Sequence, residues 1–200
     1  MKIVFASNNR GKIAELQAMG NEFNWKIIPQ ADLGVNDIAE TGLTFVENAI
    51  LKARHACTAT GLPAIADDSG LEVDSLQGAP GIYSARYAGE KATAKENIEK
   101  LLTSLQTIPD PLRQANFHCS LVFLRHTKDP TPLICEGKWY GSILTQPRGE
   151  HGFGYDPIFY DPRYQCSAAE LPLNIKNQIS HRGQALAILA KKLTEKPNLR

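Results

Sequence analysis

Two carboxylates stand side by side in the segment IADDSGLEVD, residues 65–74. Asp67 and Asp68 follow the apolar run Pro63–Ala66 and precede Ser69-Gly70, a pair typical of turns. Neighbouring side chains of an extended chain point to opposite sides, so we expect different roles for the two aspartates. A carboxylate at the carboxyl end of a strand can face a ligand crevice, and its hard oxygens suit Mg²⁺. The alternative is a turn in which the carboxylate only accepts local backbone hydrogen bonds, and the presence of two aspartates favours the functional interpretation.

The segment ASNNRGKI, residues 6–13, places a polar turn between a predicted strand and a predicted helix. Its polar positions are Ser7, Asn8, Asn9, Arg10, Gly11 and Lys12. Free backbone N–H groups at a helix start, the helix dipole and the Lys12 ammonium together favour a phosphate. The segment fails the P-loop pattern GxxxxGK[ST] at Ala6 and at Ile13. Ordinary strand–helix turns also use Asn and Gly, so a purely structural turn stays open.

A third candidate is Glu40-Thr41-Gly42, which precedes a long predicted helix. Asn48 and Lys52 are four residues apart in that helix and therefore share one of its faces. A solvated helix face is the commoner explanation of such a pair.

Two further segments, HGFGYDP (151–157) and KNQISHRGQAL (176–186), carry residues that suit a nucleobase. Phe153 lies between two glycines, where an exposed ring could stack on a base, although most Phe side chains pack inward. His181 and Arg182 fall in the first turn of a helix predicted to be capped by Ser180, where the dipole disfavours cations. They indicate an anionic or carbonyl-bearing ligand, or else two solvated side chains.

The composition is that of an ordinary globular protein. The 200 residues include 42% hydrophobic and 22% charged residues, and the formal net charge is +1. This balance gives no sign of bulk nucleic-acid binding, so any anion site is expected to be local. The four cysteines are far apart, and we expect them to be reduced. No stretch approaches the apolar length of a signal peptide or a membrane span, so we expect a cytoplasmic protein without membrane or nucleic-acid partners.

Strands and helices alternate along the chain, which predicts an α/β fold with a mixed sheet, because the later strands look antiparallel. The predicted strands are 3–6, 25–29, an apolar run ending at Ala66, 115–125 and 133–137. The predicted helices are 12–19 with Gly20 as its stop, 44–60, 93–104 and 180–193. Thr44 and Thr93 each begin a T-x-x-E capping box. We expect a single domain over residues 1–200.

Taken together and in this order, the motifs resemble the inosine/xanthosine triphosphate pyrophosphatase family. The matching segments are SNNRGKIAEL, ETGLTFVENAILKARHA, PAIADDSGLEVDSLQGAPGIYSARYAG, FHCSLVFL, GFGYDPIF and SHRGQAL. The resemblance implies an elongated α/β fold with two lobes around a central nucleotide-binding cleft, a homodimer and a need for Mg²⁺. It also implies hydrolysis of ITP, dITP and XTP to the monophosphate and pyrophosphate, which keeps deaminated purines out of DNA and RNA.

The resemblance further assigns roles to individual residues. Asp68 takes the place of the general base, and Glu40 and Asp68 lie on the metal side. Ser7, Asn9 and Lys12 fall on the family's phosphate-binding turn, T/S-x-N-x-x-K. The whole predicted substrate-binding set is Ser7, Asn8, Asn9, Arg10, Gly11, Lys12, Lys52, Ser69, Phe153, Gly154, Tyr155, Asp156, Lys176, His181 and Arg182.

Other functions compete with this one. A related pyrophosphatase with a pyrimidine preference is disfavoured by the His181-Arg182 pair, and a non-hydrolytic nucleotide sensor by the joint presence of Lys12, Glu40 and Asp68. A metal-dependent phosphomonoesterase would use acidic strand ends too, but the DxD spacing of aspartyl-phosphate enzymes is absent.

Overall fold

In the computed structural model, which describes residues 1–22 and 24–195, seven strands form one mixed sheet. The strands are β1 Lys2–Phe5, β2 Lys26–Pro29, β3 Ala64–Val73, β4 Gln114–Leu124, β5 Leu133–Ile143, β6 Phe159–Asp161 and β7 Cys166–Ser167. Their order across the sheet is β2-β1-β3-β4-β5-β6-β7. β1 is parallel to β2 and β3, whereas β6 is antiparallel to β5 and β7. The predicted α/β class and mixed sheet are confirmed.

The described part of the chain also forms five α-helices. They are α1 Arg10–Glu22, α2 Phe45–Thr60, α3 Ala94–Ser104, α4 Leu173–Ile179 and α5 His181–Thr194. Both predicted capping boxes form, at Thr44 for α2 and at Thr93 for α3. The prediction that Gly20 ends α1 is wrong, because the helix continues to Glu22. A Cβ at Gly20 would come within 2.7 Å of Ile27 Cγ1, so this glycine allows a close approach to β2.

Strand β3 runs through the segment that was predicted to turn. The strand continues from Ala64 to Val73 and includes Ser69-Gly70. It lies between β1 and β4, where ladder pairing on a central strand outweighs the local turn preference of Ser and Gly. Asp67 and Asp68 therefore lie within an extended strand, and their side chains leave it on opposite sides.

Contacts between residues divide the chain into two compact units. The first unit comprises Met1–Asp68, Cys119–Gly137 and the chain from Arg182, and the second comprises Ser69–His118 and Lys138–His181. The prediction of a single domain stays a prediction. Three of the four cysteines are buried and all four are free thiols, as expected. None of the described helices is long and apolar enough to cross a membrane.

Each unit has its own apolar core. In the first unit, α1 and α5 pack on one set of strand residues, with Leu16, Leu189 and Phe5 among the buried side chains. A second cluster there joins α2 to other strand residues through small side chains such as Ala49 and Ala53. The core of the second unit contains Leu101 of α3 with large side chains that include Trp139, Phe159 and Tyr155. These cores fix the strands from which the candidate site residues project.

Candidate active site

The register of the first unit brings the polar turn and the aspartates to one edge of the sheet. Phe5, the last residue of β1, pairs with Ile65 of β3, and the Ala6 N–H donates to the Ile65 carbonyl at 2.8 Å. The chain after β1 therefore lies next to the Asp67-Asp68 segment of β3, where the paired length of these two parallel strands ends. The sequence predicted aspartates at the end of a strand, whereas they lie within β3, which continues to Val73.

The turn between β1 and α1 is held by its own polar side chains. The Asn9 N–H donates to Ser7 Oγ at 3.2 Å, and the Lys12 N–H donates to Asn9 Oδ1 at 3.2 Å. Asn9 thus satisfies an amide of the first turn of α1, as a helix cap does. Asn8 Nδ2 donates to Asp37 Oδ2 at 2.9 Å, which fastens the turn to a distant loop. The side chain of Arg10 lies outside what the structure describes.

Asp67 is the centre of a buried ion network. Its Oδ2 lies 3.0 Å from Lys12 Nζ and 3.3 Å from the Arg182 guanidinium, which also binds Glu15 Oε2 at 2.6 Å. Burial by itself raises the pKa of Asp67, but the charges of Lys12, Arg182 and Lys52 outweigh it. The pKa of Asp67 therefore lies well below its usual value, and the group is a permanent anion that anchors Lys12.

Asp68 has different partners and the opposite pKa shift. Its Oδ1 lies 2.8 Å from Lys52 Nζ, and its Oδ2 accepts a hydrogen bond from Asn48 Nδ2 at 3.3 Å. Burial raises the pKa of Asp68, the Lys52 charge opposes that shift, and the negative charge of Glu40 adds to it. The net pKa is raised, which suits a group that takes up a proton.

Glu40 reaches the same lysine from the loop before α2. Its Oε1 lies 2.8 Å from Lys52 Nζ, so one ammonium is shared by the carboxylates of Glu40 and Asp68. The face of α2 that carries Asn48 and Lys52 is thus not solvated, since Asn48 is fully buried and Lys52 is paired. The four-residue spacing was the sequence signal for both residues, although Asn48 was absent from the predicted site.

The carboxylates of Glu40 and Asp68 suit a hard divalent cation whose remaining coordination positions are filled by a ligand. Within residues 1–22 and 24–195, no group of three or more Asp, Glu, His or Cys side chains is arranged to hold a metal alone. Glu40 and Asp68 nevertheless converge on a single cation, the Lys52 ammonium. Mg²⁺ is commonly bound by only one or two carboxylates together with substrate phosphates, so these two residues match its preference.

In the second unit, Asp156 organises the loop that carries Phe153. Its Oδ2 accepts a hydrogen bond from the Phe153 N–H at 2.6 Å and lies 2.6 Å from Lys176 Nζ. The Lys176 ammonium in turn lies 5.0 Å from the centre of the Phe153 ring, whose side chain is 42% exposed. A Cβ at Gly152 would fall 2.2 Å from Asp156 Oδ2, so glycine is required there. The expected exposed ring within a glycine loop is present.

Tyr155 and His181 are buried in the same unit, where each contacts a residue that the sequence did not single out. The Tyr155 hydroxyl donates to the Ser84 carbonyl at 2.9 Å, and burial raises the pKa of Tyr155. The His181 ring stacks on Phe117, with centroids 4.9 Å apart and planes inclined by 16°. Both contacts fix a side chain, and neither residue is solvated. Ser69 lies in β3 and is half-buried.

Arg182 belongs to the first unit, where its partners are Asp67 and Glu15. The cation at the start of α5 is thus balanced by two carboxylates of the chain itself, which excludes the solvated alternative. Sequence reasoning missed Glu15, although it lies one helical turn after Lys12. Asp37 and Phe117 gave no local signal, because their partners are distant in sequence.

A polar turn between a strand and a helix lies beside two carboxylates that are paired with lysines. In an α/β protein, a site of this composition suits phosphates and hard cations. The chain belongs to the Ham1 family, whose model matches residues 3–192. It is 58% identical over 196 residues to a dITP/XTP pyrophosphatase of Vibrio vulnificus strain YJ016, covering 98% of both chains. It is 60% identical over 188 residues to one of Shigella flexneri, covering 94% of this chain and 95% of that one.

Two solved structures are also similar. The HAM1 protein from Coxiella burnetii has a TM-score of 0.92 and 54% identity, covering 98% of this chain and 99% of that one. The Staphylococcus aureus Ham1 protein has a TM-score of 0.88 and 43% identity, covering 98% of this chain and 100% of that one. The resemblance inferred from the sequence motifs is confirmed.

Proposed function

We propose that this chain hydrolyses the purine nucleoside triphosphates dITP, ITP and XTP to the monophosphate and pyrophosphate. The observation that carries the proposal is the division of Asp67 and Asp68 between two sets of partners. One aspartate is held ionised on Lys12, and the other has a raised pKa beside Lys52. The relatives named dITP/XTP pyrophosphatase supply the substrate class.

The phosphate tail is assigned to the turn after β1 and to two lysines. Ser7 and Asn9 hold the turn in shape, so that the backbone N–H groups at the start of α1 can face an anion. Lys12 and Lys52 are each already paired with carboxylates, which holds their ammonium groups in place. Positioning and electrostatic stabilisation of this kind supply most of the rate in phosphoryl transfer.

Asp68 is assigned to the water. As a general base it accepts a proton from the water whose oxygen bonds to the α-phosphorus, while the bond from that phosphorus to the bridging oxygen breaks and pyrophosphate leaves. A base with a raised pKa drives this proton transfer better than an ordinary aspartate. Glu40 and Asp68 would hold Mg²⁺, which when bound neutralises phosphate charge and stabilises the leaving pyrophosphate.

Base selection is assigned to the residues of the second unit. Phe153 offers an exposed ring for stacking, and Lys176 and His181 offer donors to a 6-oxo group. Hypoxanthine and xanthine present an oxygen acceptor at that position, whereas adenine presents an amino donor, which would leave a buried donor unpaired. Exclusion of GTP then depends on its 2-amino group. The homodimer and the cytoplasmic location stay predictions, and sedimentation of the purified chain tests the first.

The test is to incubate the protein with ITP, XTP, GTP, ATP and dTTP in the presence of Mg²⁺ and to identify the products. The proposal expects pyrophosphate with IMP or XMP, and loss of turnover when the metal is chelated. Release of orthophosphate would contradict it and favour a phosphomonoesterase. Preferential turnover of dTTP would indicate a pyrimidine enzyme, and binding without turnover a nucleotide sensor.

A further inference from the structure

Asn48 is a buried polar residue of the first unit that has no role in the reaction as described so far. It lies in the first turns of α2, and its side chain is fully buried. Both ends of its amide are used: Oδ1 accepts a hydrogen bond from the Gly42 N–H at 2.8 Å, and Nδ2 donates to Asp68 Oδ2 at 3.3 Å. One side chain therefore connects the loop that carries Glu40 to the carboxylate of Asp68.

The loop is built to allow this connection. A Cβ at Gly42 would lie 2.8 Å from Asn48 Oδ1 and 2.6 Å from Glu47 Cβ, so any larger residue would displace the amide. The next two backbone N–H groups, of Leu43 and Thr44, donate to Glu47 Oε2 at 2.8 and 2.9 Å. Three successive amides are thus fixed to α2 immediately after Glu40-Thr41, which limits where Glu40 can lie.

We propose that Asn48 is a positioning residue that sets the orientation of the Asp68 carboxylate and keeps it in register with Glu40. Lys52 binds one oxygen of Asp68 and Asn48 the other, so the plane of the carboxylate is defined by two donors from the same face of α2. The remaining lone pairs then have a fixed direction, as a general base requires. This inference rests on the proposed function, because it assigns Asn48 to the reaction in which Asp68 is the base.

Helix α3 of the second unit provides a matched control within the same chain. It begins Thr93-Ala94-Lys95-Glu96-Asn97, and α2 begins Thr44-Phe45-Val46-Glu47-Asn48, so both have the pattern T-x-x-E-N. Asn97 is also buried, but both of its contacts are to backbone: its Oδ1 accepts from the Ala88 N–H at 2.7 Å, and its Nδ2 donates to the Ala85 carbonyl at 3.1 Å. A purely structural role predicts similar consequences of the same substitution at both positions.

The experiment compares Asn48→Asp with Asn97→Asp in the full chain. Each replaces a buried amide donor by a carboxylate oxygen of the same size and keeps the acceptor. Melting temperature, kcat and KM are measured with ITP and Mg²⁺. We expect both variants to melt at lower temperature. Only Asn48→Asp should lower kcat, by about ten- to a hundredfold, because it removes the hydrogen bond to the Asp68 carboxylate and places a carboxylate oxygen against it. KM should change little in comparison.

Equal effects on kcat at the two positions, or a change in KM alone for Asn48→Asp, would overturn the proposal. If Asn48→Asp does not fold, Asn48→Ser and Asn97→Ser repeat the comparison with a smaller side chain and the same criteria. Turnover by the wild type distinguishes a failure of the proposed function from a failure of the role proposed for Asn48. If the wild type releases no pyrophosphate, the proposed function fails; if it does and Asn48 variants keep the wild-type kcat, only the role of Asn48 fails.

Discussion

Helices α2 and α3 begin with the same local pattern but belong to different environments. In both, the threonine hydroxyl accepts a hydrogen bond from the glutamate N–H, and the glutamate side chain accepts one from the threonine N–H. In both, a buried asparagine fastens the preceding loop. They differ in the partner of the amide donor, which is the Asp68 carboxylate in α2 and the Ala85 carbonyl in α3. The local motif thus determines where each helix begins. The group that accepts the hydrogen bond from the asparagine amide decides whether that asparagine can affect the reaction.

Replacing Asp68, the carboxylate that Asn48 contacts, should have the largest effect on turnover. Asp68→Asn keeps the shape of the side chain but abolishes the proton acceptor, so we expect kcat for ITP to fall by about 10²–10⁴-fold. Binding of ITP should remain measurable by calorimetry, because Lys12 and the turn after β1 are unchanged. A kcat within about threefold of the wild type would show that Asp68 is not the base.

A methyl group at Gly42, in the loop before α2, should lower both stability and kcat, whereas one in the loop before α3 should lower stability alone. Gly42→Ala forces Asn48 or Glu47 to move, which we expect to cost about 1–3 kcal/mol of folding free energy and to lower kcat through Asp68. The control is Gly89→Ala in the loop before α3, where φ is +135° and open space surrounds the Cβ position. It should also destabilise the protein, by about 1–3 kcal/mol, without changing kcat. Chemical denaturation and steady-state kinetics check both, and an unchanged kcat in Gly42→Ala would contradict the coupling.

Removal of the capping hydroxyl should have the same effect on stability at the start of α2 as at the start of α3. Thr44→Ala and Thr93→Ala each delete the hydroxyl that accepts from the N–H of the third helical residue. We expect each to cost about 1 kcal/mol of stability, with kcat unchanged within experimental error. Thermal melts and kinetics on the pair provide the measurement. If Thr44→Ala lowered kcat as much as Asn48→Asp does, the role of Asn48 would reduce to helix capping.

The smallest expected effect is on the pH dependence of stability. Hydrogen bonds from the Thr44 side chain and nearby backbone lower the pKa of Glu47, and those from the Thr93 backbone and side chain lower the pKa of Glu96. A carboxylate whose pKa is lowered by folding stabilises the protein above its unfolded pKa, and the contribution is lost as pH falls through the folded pKa. Melting temperatures of Glu47→Gln and Glu96→Gln should therefore approach the wild-type value on acidification. If the difference in melting temperature between the wild type and either variant grew as the pH fell, the expected pH dependence would be contradicted.

Much of the fold could be predicted from the sequence, because the signals that set it are local. The capping boxes at Thr44 and Thr93 gave the starts of α2 and α3 correctly. The errors at Gly20 and at Ser69-Gly70 have one physical cause. Both positions have a local preference for ending an element, and both are overruled by packing against a neighbouring strand.

The candidate site residues could be singled out from the sequence, but the contacts that the structure shows among them could not. Lys12, Glu40, Lys52 and the two aspartates have residue types and spacings that indicate phosphate chemistry. Their pairing depends on sheet register, which joins Asn48 to Asp68 across 20 positions and Arg182 to Asp67 across 115. The placement of Arg182 beside Asp67 and Glu15 also depends on contacts between residues that are distant in the sequence. The opposite pKa shifts of the two aspartates have the same origin.

In the proposed reaction, the water that Asp68 activates attacks the α-phosphorus of the nucleotide and not the β- or γ-phosphorus. Turnover of ITP in water enriched in oxygen-18, followed by mass spectrometry of both products, tests it most directly. We expect the heavy oxygen to appear in IMP and the pyrophosphate to carry none. Heavy oxygen in the pyrophosphate, or release of orthophosphate in its place, would show that the water attacks a different phosphorus.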